Sequence, residues 1–331
     1  MPPSRIECPQ YPESGFDVPA FHDVNLCTFL TGQRLGGGPR CGRHADCRGS
    51  ADPGTAHVRS DVTPRQMAWR MAMAQVILAC VLLSVLMSGT RLVAADTQPQ
   101  PCPGNPDALS TSRVITVATA TTPRVGRKHF PDTLPLADKE VVLTFDDGPS
   151  PGTTAAVLDA LKRECVLATF FLIGRSAAAH PDLAKRELAE GHTVAHHTFD
   201  HPLLDRLRPD SAEANIDRGF AAVDRVLYGD SSKPPRTPFF RFPGFASTPH
   251  LLDRLAARNV VVFGADLWAS DWKPMSSDHE LNLVLARLEE AHGGIVLFHD
   301  TKRQTAAMLP AFLRSLKIQG YRVVHIVAPA P

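Results

Sequence analysis

The 331-residue sequence lacks a net charge of either sign. Lysine and arginine together number 35, aspartate and glutamate number 34, and the formal charge at pH 7 is +1. Proteins that bind nucleic acid through its phosphates carry a surplus or a stripe of basic side chains. Neither is present, so the sequence argues against an electrostatically driven nucleic-acid partner.

Cysteine is scarce through most of the chain. Four of the seven cysteines lie within the first 50 residues, and beyond residue 95 only Cys102 and Cys165 are left. Because Cys102 lies in a Pro-rich segment, we predict no structural disulfide in this part of the chain. Cys41, His44 and Cys47 resemble part of a zinc knuckle, but a fourth ligand at regular spacing is missing. We therefore interpret that tract as unstructured.

No apolar run has the length of a typical membrane-spanning helix. The run over residues 74–87 is shorter than the roughly 20 residues that such a helix needs. Arg65 and Arg70 precede it, and the small residues of 93–95 follow where a signal peptidase would cut, which is the pattern of a signal peptide. The apolar stretch continues past Cys80, so we prefer this interpretation to a lipoprotein cleavage box. Cleavage would leave no stable membrane span.

The position of this signal peptide predicts the organisation of the chain. A signal peptide is N-terminal, so we expect translation to start at Met67, Met71 or Met73. The alternative is a true disordered leader followed by a membrane anchor. We predict an exported protein, periplasmic or extracellular. Its predicted segments are a disordered leader at 1–66, the signal peptide at 67–95, a Pro-rich linker at 96–107, and a domain at 108–331 with its core at 140–327.

Short apolar runs alternate with amphipathic stretches from residue 140 onward, after an isolated strand predicted at 113–118. Such alternation is typical of βαβ units that build a parallel sheet. About seven units without a linker favour an α/β fold of the distorted (β/α) barrel type, with its chemistry at the C-terminal ends of the strands. The predicted strands are 141–145, 168–173, 193–195, 239–242, 260–264, 295–298 and 322–326, and the predicted helices are 153–163, 181–190, 211–227, 249–257, 278–291 and 304–317.

Two adjacent carboxylates follow the first strand of this series. Neighbouring side chains of a strand point to opposite faces, but Gly148-Pro149 ends the strand directly after Asp146 and Asp147. Both carboxylates can therefore border one site at the strand tip. Alone, this sequence would predict only a turn.

Two histidines downstream indicate that the aspartates belong to a functional site. His197 and His201 are four residues apart, a spacing that places two imidazoles on one face of a helical turn. Together with one carboxylate they form the ligand set of a catalytic zinc site that keeps a position open for water. His192 and His196 lie nearby, but packing or local hydrogen bonds explain them, and we assign them no role.

With these residues the sequence resembles the polysaccharide deacetylases of carbohydrate esterase family four, the NodB-type group that acts on chitooligosaccharides and peptidoglycan. The resemblance covers roughly residues 140–327. It implies a NodB-like barrel of about seven parallel strands and makes 108–331 a catalytic domain. The matching motifs, in the family's order, are Thr144–Pro149, His197–His201, Arg241–Gly244, Asp266–Trp272 and Leu297–His299.

The resemblance implies a role for each residue around a metal ion. Asp147, His197 and His201 correspond to the metal ligands, and Asp146 corresponds to the general base. Arg241 corresponds to the residue that holds this base in place. For two histidines and one carboxylate the expected metal is zinc, with cobalt or nickel as alternatives.

The resemblance also implies the residues that face the substrate. His299 corresponds to the general acid and Asp271 to the residue that orients it, while Leu297 and Trp272 border the pocket for the acetyl methyl group. Gly244 supplies a backbone N–H to the oxyanion. The family often carries tyrosine at this position, so the groove here loses an aromatic wall.

The predicted function is a metal-dependent hydrolase that removes acetyl groups from the N-acetyl sugars of peptidoglycan, a chitooligosaccharide or an exopolysaccharide. Acetylated xylan, which carries esters, stays open as a substrate. One alternative is an amidase of cyclic imides or ureides, whose relatives tend to lose the metal ligands. Another is a non-catalytic carbohydrate-binding module, which predicts the loss of Asp146 or His299. Both of these residues are present.

Overall fold

The computed structural model describes residues 102–231 and 235–329. The predicted leader 1–66, the predicted signal peptide 67–95 and residues 96–101 of the predicted linker lie outside the described residues. Within the described ranges, no helix is long and apolar enough to cross a membrane.

The described residues form ten strands, whose pairings are all parallel, and seven α-helices. The strands are β1 Thr111–Thr116, β2 Arg124–Val125, β3 Glu140–Asp146, β4 Thr169–Leu172, β5 Thr193–His196, β6 Phe239–Phe240, β7 Val261–Phe263, β8 Leu267–Trp268, β9 Gly294–His299 and β10 Arg322–Val327. The helices are α1 Thr154–Arg163, α2 Gly174–Ala179, α3 Pro181–Ala189, α4 Pro209–Tyr228, α5 Pro249–Ala257, α6 Ser277–Ala291 and α7 Arg303–Ile318. Short 3₁₀ segments cover Leu204–Arg206 and Pro243–Phe245.

The strands follow one another in the order β8-β9-β3-β4-β5-β6-β7-β2, and β10 joins the start of β3 and carries β1 on its far side. Only three residues connect β7 to β8, although these strands lie at opposite ends of the run. In this connection the Gly264 N–H donates to the Val125 carbonyl of β2, and the Asp266 N–H donates to the Ile295 carbonyl of β9. The sheet therefore curls into the predicted distorted barrel, with its seam at residues 264–266.

The β3 strand is buried on both faces, and its alternation separates two parts of the core. Val141, Leu143 and Phe145 belong to the cluster shared with the outer helices, whereas Val142 belongs to the cluster inside the barrel. Because side chains alternate along a strand, Asp146 points to the same side as Val142. The strand thus delivers its last carboxylate to the barrel interior.

The predicted elements agree with the structure to within two residues at each end, and the helix predicted at 249–257 coincides with α5. No pattern predicted β2 and β8, which have two residues each, or the six-residue α2. Elements this short carry too few residues for a period of 2 or 3.6 to show.

The prediction that no structural disulfide forms was wrong. Cys102 and Cys165 are bonded across 63 positions of sequence, with 5.6 Å between their Cα atoms. Near this bond, Asn105 Nδ2 donates to the Arg163 carbonyl at 2.9 Å, so residues that we predicted as linker pack against the end of α1. Pairing depends on which segments meet in space, and the Pro-rich composition around Cys102 does not report this.

Candidate active site

The C-terminal ends of three parallel strands bring the predicted residues together. Asp146 ends β3 and lies in register with His299, which ends β9. His197 follows β5 directly, and its N–H donates to the carbonyl of Leu172 at the end of β4. Since parallel strands end on the same side of a barrel, residues far apart in sequence surround one site.

Asp147 leaves the strand in a left-handed conformation, with φ 76°. This turn directs its carboxylate toward the two histidines instead of continuing the alternation of β3. Its neighbour Gly148 packs against Asp300, and a Cβ at Gly148 would lie 2.2 Å from Asp300 Oδ2. Only glycine fits there, so the turn that presents Asp147 depends on this close approach.

His197 and His201 do not share a helical turn, contrary to the interpretation of their spacing. Thr198 and His201 have φ 66° and 65°, and the His201 N–H donates to Thr198 Oγ1 at 3.0 Å. The ring centroids of the two histidines nevertheless lie 5.0 Å apart. A tight loop rather than a helix therefore brings the imidazoles to one side.

The start of α2 and the middle of α4 hold this histidine loop. The N–H groups of Gly174 and Arg175 donate to the carbonyls of Thr198 and Phe199, each at 2.9 Å. A Cβ at Gly219 of α4 would lie 2.5 Å from the carbonyl carbon of Thr198. The two helices therefore hold the backbone of the loop between the two histidines.

Asp147, His197 and His201 form a compact cluster of ligand atoms that lie within 4.8 Å of one another. Asp147 Oδ1 is 3.6 Å from His197 Nε2 and 3.2 Å from His201 Nε2. This oxygen is buried and has no hydrogen-bond partner among the described residues. Burial alone would raise the pKa of Asp147, but the three neighbouring imidazoles outweigh it and hold this pKa well below its usual range.

The protonation of His197 also suits a metal ligand. Its Nδ1 lies 2.7 Å from the Arg241 carbonyl, which can only accept, so Nδ1 carries the hydrogen and Nε2 keeps a lone pair toward Asp147. Burial lowers the pKa of His197 to about 4, so the ring is neutral at pH 7. An anionic oxygen and a neutral imidazole facing the same point fit a divalent cation.

Asp146 is paired with a fully buried cation. Arg241 Nη1 donates to Asp146 Oδ1 at 2.7 Å and to Thr144 Oγ1 at 2.9 Å, and Nη2 donates to the Gly264 carbonyl at 2.9 Å. The other carboxylate oxygen, Oδ2, is 3.8 Å from His197 Nε2. One oxygen of Asp146 is thus held, and the other faces the ligand cluster.

His299 is paired with a buried anion. Its Nδ1–H donates to Asp271 Oδ1 at 2.7 Å, and its backbone N–H donates to Asp271 Oδ2 at 2.6 Å. The other ring nitrogen, Nε2, lies 3.9 Å from Asp147 Oδ2. Burial lowers the pKa of His299, but the surrounding carboxylates, Asp271 foremost, raise it to about 9.

The family follows from comparison with known proteins. A family model described as polysaccharide deacetylase matches residues 134–261. A chitooligosaccharide deacetylase from a Bradyrhizobium strain is 32% identical over 200 residues, which are 56% of this chain and 88% of that protein. The chain belongs to the polysaccharide deacetylase family.

Other relatives agree with membership in the polysaccharide deacetylase family. The peptidoglycan-N-acetylglucosamine deacetylase PgdA of Listeria monocytogenes is 34% identical over 209 residues, but these are 61% of this chain and only 42% of that protein. The structure of a Bdellovibrio bacteriovorus peptidoglycan deacetylase aligns with TM-score 0.58 and 34% identity, covering 66% of this chain and 59% of that one. This chain therefore spans well under half of the length of the Listeria relative.

The residues assigned to the substrate side occupy different environments. Gly244 has φ 55°, and a Cβ there would lie 2.8 Å from Leu203 Cδ2. Leu297 is buried in β9, opposite Thr144 and two residues before His299. Trp272 is 45% exposed, and its ring centroid lies 6.0 Å from that of His299. Trp272 therefore belongs to the outer part of the site and Leu297 to its base.

Sequence analysis missed a set of rings beside Gly244. The His129 ring stacks on Phe245 with 3.6 Å between centroids, and Phe245 lies 6.3 Å from Trp268. Trp268 in turn lies 5.9 Å from Trp272. Trp268 and Trp272 lie within the motif Asp266–Trp272, whereas His129 and Phe245 lie outside every family motif, so the sequence carried no signal for their stacking. This row of rings supplies aromatic surface where the family often has a tyrosine.

His192 and His196, to which we assigned no role, are buried away from the ligand cluster. His192 Nδ1 accepts from the Ala168 N–H at 3.1 Å, and burial lowers the pKa of this histidine to about 3. The His196 ring packs edge-on against the Phe220 ring, with 4.6 Å between the ring centroids. Their contacts agree with the packing interpretation.

Proposed function

We propose that the protein is an exported, metal-dependent hydrolase that removes acetyl groups from the N-acetyl sugars of peptidoglycan or a related glycan. One observation carries this proposal: the carboxylate of Asp146 and the imidazole of His299 border the same three-ligand cluster. Asp146 Oδ2 lies 3.8 Å from His197 Nε2, and His299 Nε2 lies 3.9 Å from Asp147 Oδ2. A base and an acid on either side of one cation site is the arrangement that amide hydrolysis needs.

Asp147, His197 and His201 would hold the cation, with zinc as the preferred ion and cobalt or nickel as alternatives. Once bound, such an ion supplies a Lewis acid for the acetyl carbonyl and acidifies water that would otherwise be a weak nucleophile. The unpartnered Oδ1 of Asp147 and the oriented, neutral ring of His197 support this assignment.

Asp146 takes the role of general base. Arg241 holds Oδ1 and stabilises the ionised carboxylate, so Oδ2 is free to accept a proton from the attacking water. A carboxylate in this position accepts a proton without moving, because Arg241, which also donates to Thr144 and to the Gly264 carbonyl, holds Oδ1. The Arg241 side chain acts through Asp146, while its backbone carbonyl orients the His197 ring.

His299 takes the role of general acid. An amine is a poor leaving group unless its nitrogen is protonated as the C–N bond breaks, and a protonated Nε2 supplies that proton. Asp271 accepts the Nδ1–H and stabilises the imidazolium, so the transferable proton lies on the ring nitrogen that faces the cluster.

We propose that the backbone N–H of Gly244 donates to the oxyanion and that Leu297 and Trp272 border the acetyl methyl group. The row of rings from His129 to Trp272 supports a sugar polymer as the ligand, because sugar faces pack well on aromatic surfaces. The names of the relatives, which include peptidoglycan and chitooligosaccharide deacetylases, favour N-acetyl sugars over imides.

The decisive experiment is mass spectrometry of products after incubation of the zinc-loaded protein with N-acetylglucosamine oligomers and, separately, with peptidoglycan. We expect products that have each lost an acetyl group, together with free acetate. Unchanged glycans combined with opening of a cyclic imide would replace the proposal with the amidase alternative.

Export is tested separately by N-terminal sequencing of the mature protein from the producing cell. We expect a start near Asp96 and unchanged export after deletion of residues 1–66. A mature protein that begins upstream of Met67 would contradict the proposed signal peptide.

A further inference from the structure

A second buried carboxyl group lies behind the Asp271–His299 pair. Glu280, in the first turn of α6, is fully buried. The hydroxyl of Thr305, in the first turn of α7, lies between it and the active site. Thr305 Oγ1 is 2.8 Å from Glu280 Oε1 and 2.9 Å from Asp271 Oδ2. A continuous row of polar groups thus connects α6 to His299.

The hydrogens in this row determine the state of Glu280. Asp271 already accepts the backbone and ring N–H groups of His299, so it is an acceptor toward Thr305 as well. A hydroxyl carries a single hydrogen, and that of Thr305 must go to Asp271. The contact between Thr305 and Glu280 is then a hydrogen bond only if Glu280 donates. A donating carboxyl group is a neutral acid.

The surroundings of Glu280 agree with a neutral acid. It forms no ion pair with any residue in 102–231 or 235–329, and its Oε2 has no hydrogen-bond partner in those ranges. A buried anion without a partner is far more costly than a buried carbonyl oxygen. The titratable groups that face it are Asp271 and His299. Burial raises the pKa of Glu280 to about 7, and the charge of Asp271 adds to this rise.

We propose that Glu280 is a protonated positioning residue that, through Thr305, fixes the Asp271 carboxylate so that His299 points its Nε2 at the ligand cluster. Among the described residues, only His299 and Thr305 donate hydrogen bonds to the Asp271 carboxylate. Thr305 is therefore the donor that orients this carboxylate on the side away from His299. The contribution of Glu280 to turnover rests on the proposed function, whereas the protonation of Glu280 does not.

Protonation is tested by ¹³C NMR of zinc-loaded protein labelled at the glutamate side-chain carboxyl carbon. At about pH 6 an ordinary glutamate is ionised, since its usual pKa is about 4.3. We expect a resonance of a neutral carboxyl group that disappears in Glu280→Gln and shifts in Thr305→Val. Glu187 is the matched reference, because it is also fully buried and neither of its oxygens has a partner among the described residues. The resonance lost in Glu187→Gln should not shift in Thr305→Val. An ionised Glu280 at this pH would overturn the proposal.

Positioning is tested by two matched pairs of variants, with deacetylation kinetics on zinc-loaded protein. Glu280→Leu removes the donor, while Glu280→Gln keeps one in its amide. Thr305→Val removes the hydroxyl, while Thr305→Ser keeps it. We expect kcat to fall about tenfold in the leucine and valine variants, with KM within about twofold of wild type and zinc content unchanged. The glutamine and serine variants should recover most of kcat.

The outcomes separate this inference from the proposed function. Equal losses in Glu280→Gln and Glu280→Leu would mean that a negative charge, not a donor, is needed, and would overturn the inference. Wild-type kcat in both Glu280→Leu and Thr305→Val would overturn the positioning role. If wild-type protein deacetylates no glycan, the proposed function fails, and the NMR measurement alone decides the state of Glu280.

Discussion

Asp146 and His299 lie on two sides of the ligand cluster in similar surroundings, but each is paired with a buried group of opposite charge. Asp146 and His299 are in-register neighbours at the ends of β3 and β9, and both are largely buried. Behind Asp146 lies the guanidinium of Arg241, and behind His299 lies the carboxylate of Asp271. A buried group takes the protonation state that its nearest charge stabilises. The same barrel end therefore places a cation beside the proposed base and an anion beside the proposed acid.

The comparison teaches where to look for acid and base roles in a site of this kind. Burial opposes the charged form of either group, so the charged partner decides. Asp147 differs from both groups because it faces imidazoles that are shared with a cation site instead of a dedicated partner.

Removal of the proposed cation, which Asp147, His197 and His201 would hold between the two sides, should have the largest effect. We expect chelation to abolish deacetylation and an added divalent ion to restore it. Elemental analysis and rates are measured on the same samples. Full activity in protein that is verifiably metal-free would exclude the mechanism and favour the imide-hydrolase alternative.

Removal of the cation behind the base should be the next largest effect. Arg241→Met leaves Asp146 buried without its partner, so we expect the free energy of unfolding to fall by about 3–5 kcal/mol. The rate should fall by about 10²- to 10⁴-fold, because the Asp146 carboxylate loses both the donor that orients it and its charge partner. Arg124→Met is the control, since Arg124 pairs at the surface with an exposed Asp253. That variant should lose no more than about 1 kcal/mol. Similar losses in both would contradict the account.

Removal of the anion behind the acid should change the pH dependence. With Asp271 present, the pKa of His299 is raised from 6.5 to about 9, so the acid form persists to alkaline pH. In Asp271→Asn the alkaline limb of kcat should move to lower pH, and the rate at neutral pH should fall by about 10²-fold.

The same pair should contribute to stability in a defined pH window. The folded protein binds the His299 proton more tightly than the unfolded chain, so the contribution is complete below pH 6.5 and is lost as the pH rises toward about 9. Denaturant titrations of wild type and Asp271→Asn across this range should converge at the alkaline end. A difference that grows with pH would reverse the assigned sign.

A change remote from both sides should affect stability alone. Replacing Cys102 and Cys165 by serine opens a covalent link across 63 positions, and we expect a loss of about 2–4 kcal/mol of unfolding free energy. Because the bond lies at the end of α1, kcat should stay within about twofold of wild type. A large loss of kcat in folded protein would show that the N-terminal segment takes part in the site.

Much of the fold and most of the candidate site could be predicted, because both depend on local patterns. Periodicity located the strands, and the family motifs assigned Asp146 and His299 to one site across 153 positions of sequence. The loop that carries His197 and His201 could not be predicted, since its left-handed residues are not glycines. Contacts between segments that no sequence motif links could not be predicted.

Three examples show this limit. The Cys102–Cys165 bond joins a Pro-rich segment to a helix end. His129 stacks on Phe245 across 116 positions. Glu280 stands in a helix turn that also contains Asp278, where an acidic side chain reads as an ordinary N-terminal charge. In each case the packing of whole elements decides the contact, and the sequence alone does not give that packing.

The division of labour between the two adjacent aspartates is the central claim, because composition treats them as equals. Asp147 should hold the cation and Asp146 should move a proton. In Asp147→Ala the only anionic ligand is lost, so metal content and turnover should fall together. In Asp146→Asn the shape is kept but the base is lost, so metal should stay bound while the rate falls by about 10²- to 10⁴-fold.

Metal content and rate, measured in parallel on these two variants, test the account most directly. The account predicts that the Asp146→Asn protein retains metal and loses rate, and that the Asp147→Ala protein loses both. Loss of metal from the Asp146 variant with retention in the Asp147 variant would reverse the two roles. Wild-type metal content and rate in both would place the active site elsewhere.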